Sequence, residues 1–297
     1  ILLEYANKTK LTIKIPAPSW DEAHKWGDFY LAEGLMREFI KENYGVQLQV
    51  LPEWDGNTDS NSDIVIVLRG LSEYNPKMHH HNIMWNISHP DLISLEEYSK
   101  YDKVFIASQK WADEISRKVD VPVECMWQCT DTSRFYPDYN EEYEHELLFV
   151  GNSRKVYRKI LKDLLPTDHE LAVYGSDWEE LIDEKYIAGS FVSNKDLRKL
   201  YSSCNILLSD HWEDMREKGF VSNRIFDALA CGSCVISDDI DGLEELFDGE
   251  VHTYKNKEDL KELVEQMLTQ KTKSNQGLIK NHTYKDRVNQ FINVFKK

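Results

Sequence analysis

The sequence predicts an α/β protein made of two successive units, each with a parallel sheet. Three observations support this. Short apolar segments rich in Val, Ile and Leu alternate with helical stretches along the chain, the pattern of an open α/β sheet. A polar, acidic passage at 130–146, TDTSRFYPDYNEEYEHE, interrupts the alternation, which then restarts; such a passage reads as a linker. The length of 297 residues, with 41% hydrophobic and 11% aromatic residues, suffices for two cores.

In the first unit, strands are expected at 11–16, 46–51, 63–68, 81–88, 103–108 and 122–127. DIVIVL at 63–68 is a continuous apolar run, suited to a strand buried on both faces. A helix is expected from Phe29 to Tyr44, with Leu31, Leu35, Phe39 and Ile40 at helical spacing, and others from Leu95 to Tyr101 and from Gln109. In the second unit, strands are expected at 146–151, 170–175, 186–189, 205–210, 233–237 and 251–254. Helices are expected at 153–165, after Trp178, and at 194–203, 222–230, near Gly242 and at 257–268. A last amphipathic helix begins near Tyr284. The resulting domains are 1–140 and 145–283, with the helix over 284–297 expected to pack back on the first.

Composition narrows the function. A formal charge of -16 opposes non-specific binding to nucleic acid or anionic membranes. It leaves room for a small anionic ligand, which needs only a local cluster of donors. Five cysteines, an odd number, fit a reducing compartment better than a disulfide framework and form no zinc signature. No apolar run reaches the roughly 18 residues of a membrane span, and no signal peptide is visible, so a cytoplasmic protein is expected. The chain opens at Ile1 rather than Met, as a trimmed chain or a piece of a longer polypeptide would.

Candidate chemistry gathers where strands end. FVGNSRKVYRK at 149–159 runs from a strand into a glycine turn followed by Arg154, Lys155 and Arg158. Turn amides and a nearby Arg make an anion site, although the spacing is neither a Walker loop nor G-x-G-x-x-G and surface helices often begin with basic residues. Arg224 and Asp227 lie three apart and share a helix face. Together they would hold a pyrophosphate and a ribose diol, or else form an ordinary surface ion pair. His79-His80-His81 has metal-ligand residue types, but adjacent strand positions alternate faces, so a solvated loop is expected and no metal is assigned.

In order along the chain, these pieces resemble a known family. RIFDALACGSCVISDDIDGLEELF at 224–247 is similar to the nucleotide-sugar half of GT-B glycosyltransferases, and closest to their CgeB-like branch within the glycosyltransferase family 1/4 superfamily. The resemblance continues in LLFVGNSR at 147–154 and in AGSFVSNKDLRKLYSSCNILL at 188–208. In the first half it covers WGDFYLAEGL, NIMWNISHPDLISLEEYSKYDKVFIAS and QCTDTSRFYPD.

The resemblance implies a GT-B fold, with two Rossmann-like domains whose parallel sheets face a central cleft. It implies a donor domain at 145–283 and an acceptor domain at 1–140. Gly151, Asn152, Ser153 and Arg154 would wrap the donor diphosphate, and Phe191 and Val192 would touch the base. Arg224 would approach the diphosphate or sugar, and Asp227, where the family more often has Glu, the ribose. Asp241, Gly242 and Leu243 would present backbone amides. An inverting reaction needs a base near the acceptor, for which His89 and Asp28 fit by residue type; His89 also suits a backbone-bonded His-Pro turn, and Asp28 a helix cap. The implied activity is metal-independent transfer from a nucleotide sugar, with UDP preferred, to a hydroxyl of a glycan or other acceptor. A nucleotide-sugar 2-epimerase and a non-catalytic carbohydrate-binding or assembly protein share such a fold. Retaining members of the superfamily often carry two Glu eight positions apart; eight before Asp227 stands Gly219, with Glu217 nearby, so the stereochemical outcome stays open.

Overall fold

A computed structural model describes residues 8–296. It divides the chain into two compact units. The first holds the residues up to Gln128, Glu217–Phe220 and the stretch from Tyr284; the second holds Cys129–Arg216 and Val221–Thr283.

The first unit has six parallel strands: β1 (Lys10–Lys14), β2 (Gly45–Gln49), β3 (Ile64–Arg69), β4 (His81–Asn86), β5 (Lys103–Ile106) and β6 (Val123–Cys125). They lie in the order β2-β1-β3-β4-β5-β6. Every residue of β3 is buried, as its unbroken Ile/Val/Leu run requires of a central parallel strand. Helices α1 (Trp20–Ala23), α2 (Gly27–Lys41), α3 (Leu95–Ser99) and α4 (Gln109–Ser116) connect the strands. Leu31, Leu35 and Phe39 of α2 face the core, whereas Ile40, one residue round from Phe39, is half-exposed.

The second unit has β7 (Leu147–Val150), β8 (Leu171–Tyr174), β9 (Ile187–Gly189), β10 (Ile206–Ser209), β11 (Val235–Asp238) and β12 (Val251–Tyr254). Their order is β12-β11-β10-β7-β8-β9, all parallel. This is a doubly wound sheet, in which the chain leaves β7 toward one edge and returns at β10 toward the other. The crevice at the carboxyl ends of β7 and β10 is therefore where such a sheet binds ligands. Helices α5 (Lys159–Leu164), α6 (Asn194–Ser203), α7 (Glu213–Glu217), α8 (Asn223–Ala230), α9 (Leu243–Leu246) and α10 (Lys257–Gln270) complete the unit.

Two helical expectations fail here. The helix expected at 153–165 begins only at Lys159, because Arg154 and Lys155 adopt left-handed backbone angles (φ 51° and 62°) that no right-handed helix accepts. No α-helix follows Trp178. The chain makes turns and a 3₁₀ segment, Glu184–Tyr186, before β9. The indole of Trp178 is buried, and its Nε1 donates to the Gly151 carbonyl at 2.9 Å.

The passage 130–146 is packed rather than loose. Asp138 and Asn140 donate backbone N–H groups to Ser202 and Ser203 of α6, and Arg198 binds the Asp138 carboxylate at 2.7 Å. The C-terminal helix α11 (Tyr284–Phe295) lies in the first unit. Phe291 meets the rings of Phe39, Trp85 and Phe105, and a β-carbon at Gly34 would lie 2.6 Å from the Tyr284 ring. Arg287 ties this helix to the end of the first unit by donating to the carbonyls of Trp127 (2.6 Å) and Gln128 (2.9 Å).

Candidate functional site

The loop after β7 is built by backbone approach. Gly151 N–H donates to the Tyr174 carbonyl at 2.8 Å, and a β-carbon at Gly175 would lie 2.1 Å from the Gly151 oxygen. Gly175 has φ 144°, so both its space and its backbone angle demand glycine. Asn152 Oδ1 accepts from Ser176 N–H at 2.9 Å, and buried Ser153 donates its hydroxyl to the Asp177 carbonyl and accepts from Lys155 N–H. The next two residues, Arg154 and Lys155, are exposed and left-handed. Each such non-glycine residue costs about 1 kcal/mol, and consecutive examples concentrate at ligand-binding loops.

Arg224 meets this loop from α8. Ser222 caps α8 by accepting from Arg224 N–H at 3.3 Å, and a β-carbon at Gly151 would lie 3.2 Å from the Arg224 guanidinium. No ion pair joins Arg224 to Asp227 among the described residues, so the pair is not the surface ion pair that its spacing permits. Asp227 is buried, and its Oδ1 accepts from Thr130 at 2.7 Å, while its Oδ2 has a long 3.5 Å contact from Asn223. Burial pushes its carboxyl up to about 8, against the pull of the Thr130 hydrogen bond.

Behind the loop, Arg158 joins polar groups from β10 and β11 that a linear reading of the sequence passes over. Arg158 is buried and donates to both the carboxylate and the carbonyl of Asp210, which follows β10; Asp210 also accepts from Ile160 N–H at 3.2 Å, capping α5. The Arg158 guanidinium lies 4.3 Å from the centroid of the Trp212 ring, with that of Arg154 5.6 Å away. His211 Nδ1 is 2.8 Å from Asp238 at the end of β11. A signal for these residues exists: ILLSD and VISD end adjacent strands, and Ser209 pairs with Ser237 in register. The two Asp residues therefore stand at the same level of the sheet.

Other expected donor residues are scattered around the unit. Phe191 is 63% exposed just beyond β9, beside half-buried Val192. Asp241 is exposed, Gly242 adopts φ 83° at the start of the short α9, and the Leu243 side chain belongs to the core.

Asp28 and His89 both belong to the first unit. Asp28 is the second residue of α2, whose N-cap is Trp26, so its carboxylate sits in the first turn rather than capping it. A β-carbon at Gly70, just after β3, would lie 3.8 Å from Asp28 Oδ2 and 3.0 Å from Ser88 Oγ. Asp28 and the Ser88-His89 turn thus meet around Gly70, at the carboxyl ends of β3 and β4. His89 is left-handed (φ 50°), and its carbonyl accepts from Leu92 N–H. In the His79-His80-His81 run, the rings of exposed His79 and buried His80 lie 3.9 Å apart, and His80 Nε2 is 2.9 Å from the Asp59 carbonyl oxygen. Among the described residues no group of three or more His, Cys, Asp or Glu is placed to hold a metal ion, and no helix is long and apolar enough to cross a membrane.

Comparison with known proteins bears on the family and the fold. Residues 154–293 match the family described as glycosyl transferase-like. Among solved structures, the chain is similar to sucrose-phosphate synthase from Thermosynechococcus elongatus (TM-score 0.71, 12% identity, 97% of this chain and 98% of that one). It is also similar to AviGT4, a glycosyltransferase of avilamycin A biosynthesis (TM-score 0.67, 14% identity, 97% of each chain). The fold is GT-B. Within that fold, residues 154–293 are glycosyl transferase-like. A third similar structure is an alpha-glucosyltransferase in complex with UDP-glucose and DNA containing an abasic site (TM-score 0.63, 11% identity, 98% of this chain and 100% of that one). No curated protein matches this sequence.

Proposed function

We propose that the protein transfers a sugar from a nucleotide-sugar donor, preferably a UDP-sugar, to a hydroxyl of a carbohydrate-type acceptor, within the CgeB-like branch of GT-B enzymes. The observation that carries this reading is the placing of Arg224 against Gly151 at the β7/β10 crevice, with no ion-pair partner among the described residues. A departing nucleoside diphosphate carries the charge that such a cation and the amides of Gly151–Arg154 neutralise, the task a divalent metal performs in other folds. Phe191, exposed at the β9 end, offers its ring to the base, and Asp227 offers the ribose the carboxyl oxygen that Thr130 leaves open. Asp241–Leu243 contribute amides to the sugar end. UDP is favoured by the similar alpha-glucosyltransferase structure that holds UDP-glucose. A DNA acceptor is disfavoured, because a chain of formal charge -16 repels a polyanion.

The acceptor is assigned to the first unit, with Asp28 and His89 as candidates for taking its proton. Incubation with a panel of nucleotide sugars tests the whole reading. Release of nucleotide accelerated by a glycan acceptor supports transfer, whereas an isomerised donor indicates an epimerase and binding without turnover a carbohydrate-binding protein. Within transfer, Asp28→Asn or His89→Ala should lower kcat at least tenfold for a catalytic base and leave UDP affinity unchanged. If both variants turn over normally, the base lies elsewhere.

A further inference from the structure

We propose that His211 is a positioning residue that sets the donor-binding cation Arg224 through the N-terminus of α8. This rests on the donor-site reading of Arg224 given above. His211 and Asp238 side chains are fully buried. Asp238 Oδ1 lies 2.8 Å from His211 Nδ1, and Asp238 Oδ2 accepts from the His211 backbone N–H at 3.1 Å. On the other side of the ring, Nε2 lies 2.9 Å from the backbone nitrogen of Ser222. A backbone amide can only donate, so Nε2 is the acceptor and carries no proton. The proton therefore sits on Nδ1 and is donated to Asp238, and the ring is the neutral Nδ1–H tautomer.

The consequence is a relay of fixed geometry. Asp238 is held at the end of β11, where Ser237 Oγ also donates to it at 3.0 Å and Arg216 approaches at 3.6 Å. The imidazole spans from that carboxylate to Ser222, the residue whose hydroxyl caps α8 at Arg224 N–H. Two residues beyond Ser222, Arg224 reaches Gly151. The histidine thus fixes the start of α8 to the central sheet, and with it the height of Arg224 over the β7 loop. A group with no acceptor at the Nε2 position leaves the half-buried Ser222 amide without its His211 partner and frees the helix start.

Asn and Gln separate the two ends of the ring. An Asn amide at 211 takes the place of Nδ1 and keeps the bond to Asp238; a Gln amide carries its oxygen to the place of Nε2 and keeps the acceptor for Ser222. UDP affinity, measured by calorimetric titration with thermal unfolding on the same samples, should fall about tenfold in His211→Asn and stay within about threefold of wild type in His211→Gln. The reverse order, equal weakening of both, or no effect in either overturns the inference. Arg224→Ala serves as the separating arm. If it weakens UDP binding while the Asn and Gln variants miss the expected order, only the role of His211 falls. If Arg224→Ala binds UDP as wild type does, the donor-site reading falls and this inference with it.

Discussion

The two sheets have the same number of strands and the same parallel sense, yet they treat charge at their carboxyl ends in opposite ways. In the first unit, cations at that level are neutralised from within. Arg69 is buried against Glu97 at 2.6 Å and also donates to the Gly70 and Leu92 carbonyls, and Lys14 is buried against Asp59 at 2.8 Å. Removing one partner of such a pair costs more than the pair contributes, so these charges serve the fold. In the second unit, Arg158 is neutralised by Asp210 in the same manner, but Arg154 and Arg224 have no carboxylate partner among the described residues. These two cations stand beside the glycine turn, where the proposed donor diphosphate would neutralise them. The contrast supports the proposal that the β7 loop with α8 is the anion site.

The largest expected effect tests the backbone half of that contrast. Gly175→Ala forces a β-carbon into the Gly151 carbonyl at 2.1 Å and holds a non-glycine residue at φ 144°. It should destabilise the protein by more than about 3 kcal/mol and abolish UDP binding, as followed by denaturant unfolding and titration. A fully stable variant would show that the two loops separate freely.

Asp227 gives a smaller and pH-dependent effect. Its folded value near 8 lies above its ordinary 3.8, so the proton it retains stabilises the folded state. That contribution is complete below pH 4 and is lost as pH rises through 8. Asp227→Asn keeps an oxygen for Thr130 and has nothing to ionise. Its unfolding temperature relative to wild type should therefore rise between pH 5 and pH 9, by several degrees, and an invariant difference would place the Asp227 carboxyl at an ordinary value.

The smallest effect concerns strain in the loop after β7. Lys155→Gly removes a left-handed lysine and should raise stability by roughly 1 kcal/mol, a shift of a few degrees. It should do so without strengthening UDP binding, because a looser loop gives up its preorganisation. A lower melting temperature would mean that the left-handed turn stores no strain.

Much of the fold was legible from periodicity. Helices α6 and α11 and strand β12 match their expected bounds, the helices because amphipathic spacing leaves one solution. The helix expected at 153–165 failed because composition cannot reveal that Arg154 and Lys155 turn left-handed in order to serve the loop. The glycine turn after β7 was visible, since a glycine after a buried strand, followed by Arg, is a local pattern. Asp210, His211 and Asp238 were not, because their meaning arises only when β10 and β11 lie side by side. Asp227 was visible as a residue but not as a buried one: the Thr130 hydroxyl that holds it comes from 97 positions away.

A crystal soaked with UDP tests the central claim most directly. The predicted result places the diphosphate against the Gly151–Arg154 amides, within hydrogen-bond distance of the Arg224 guanidinium, and the base beside Phe191. A diphosphate bound at Asp28 and His89 in the first unit, or away from both loops, would contradict it.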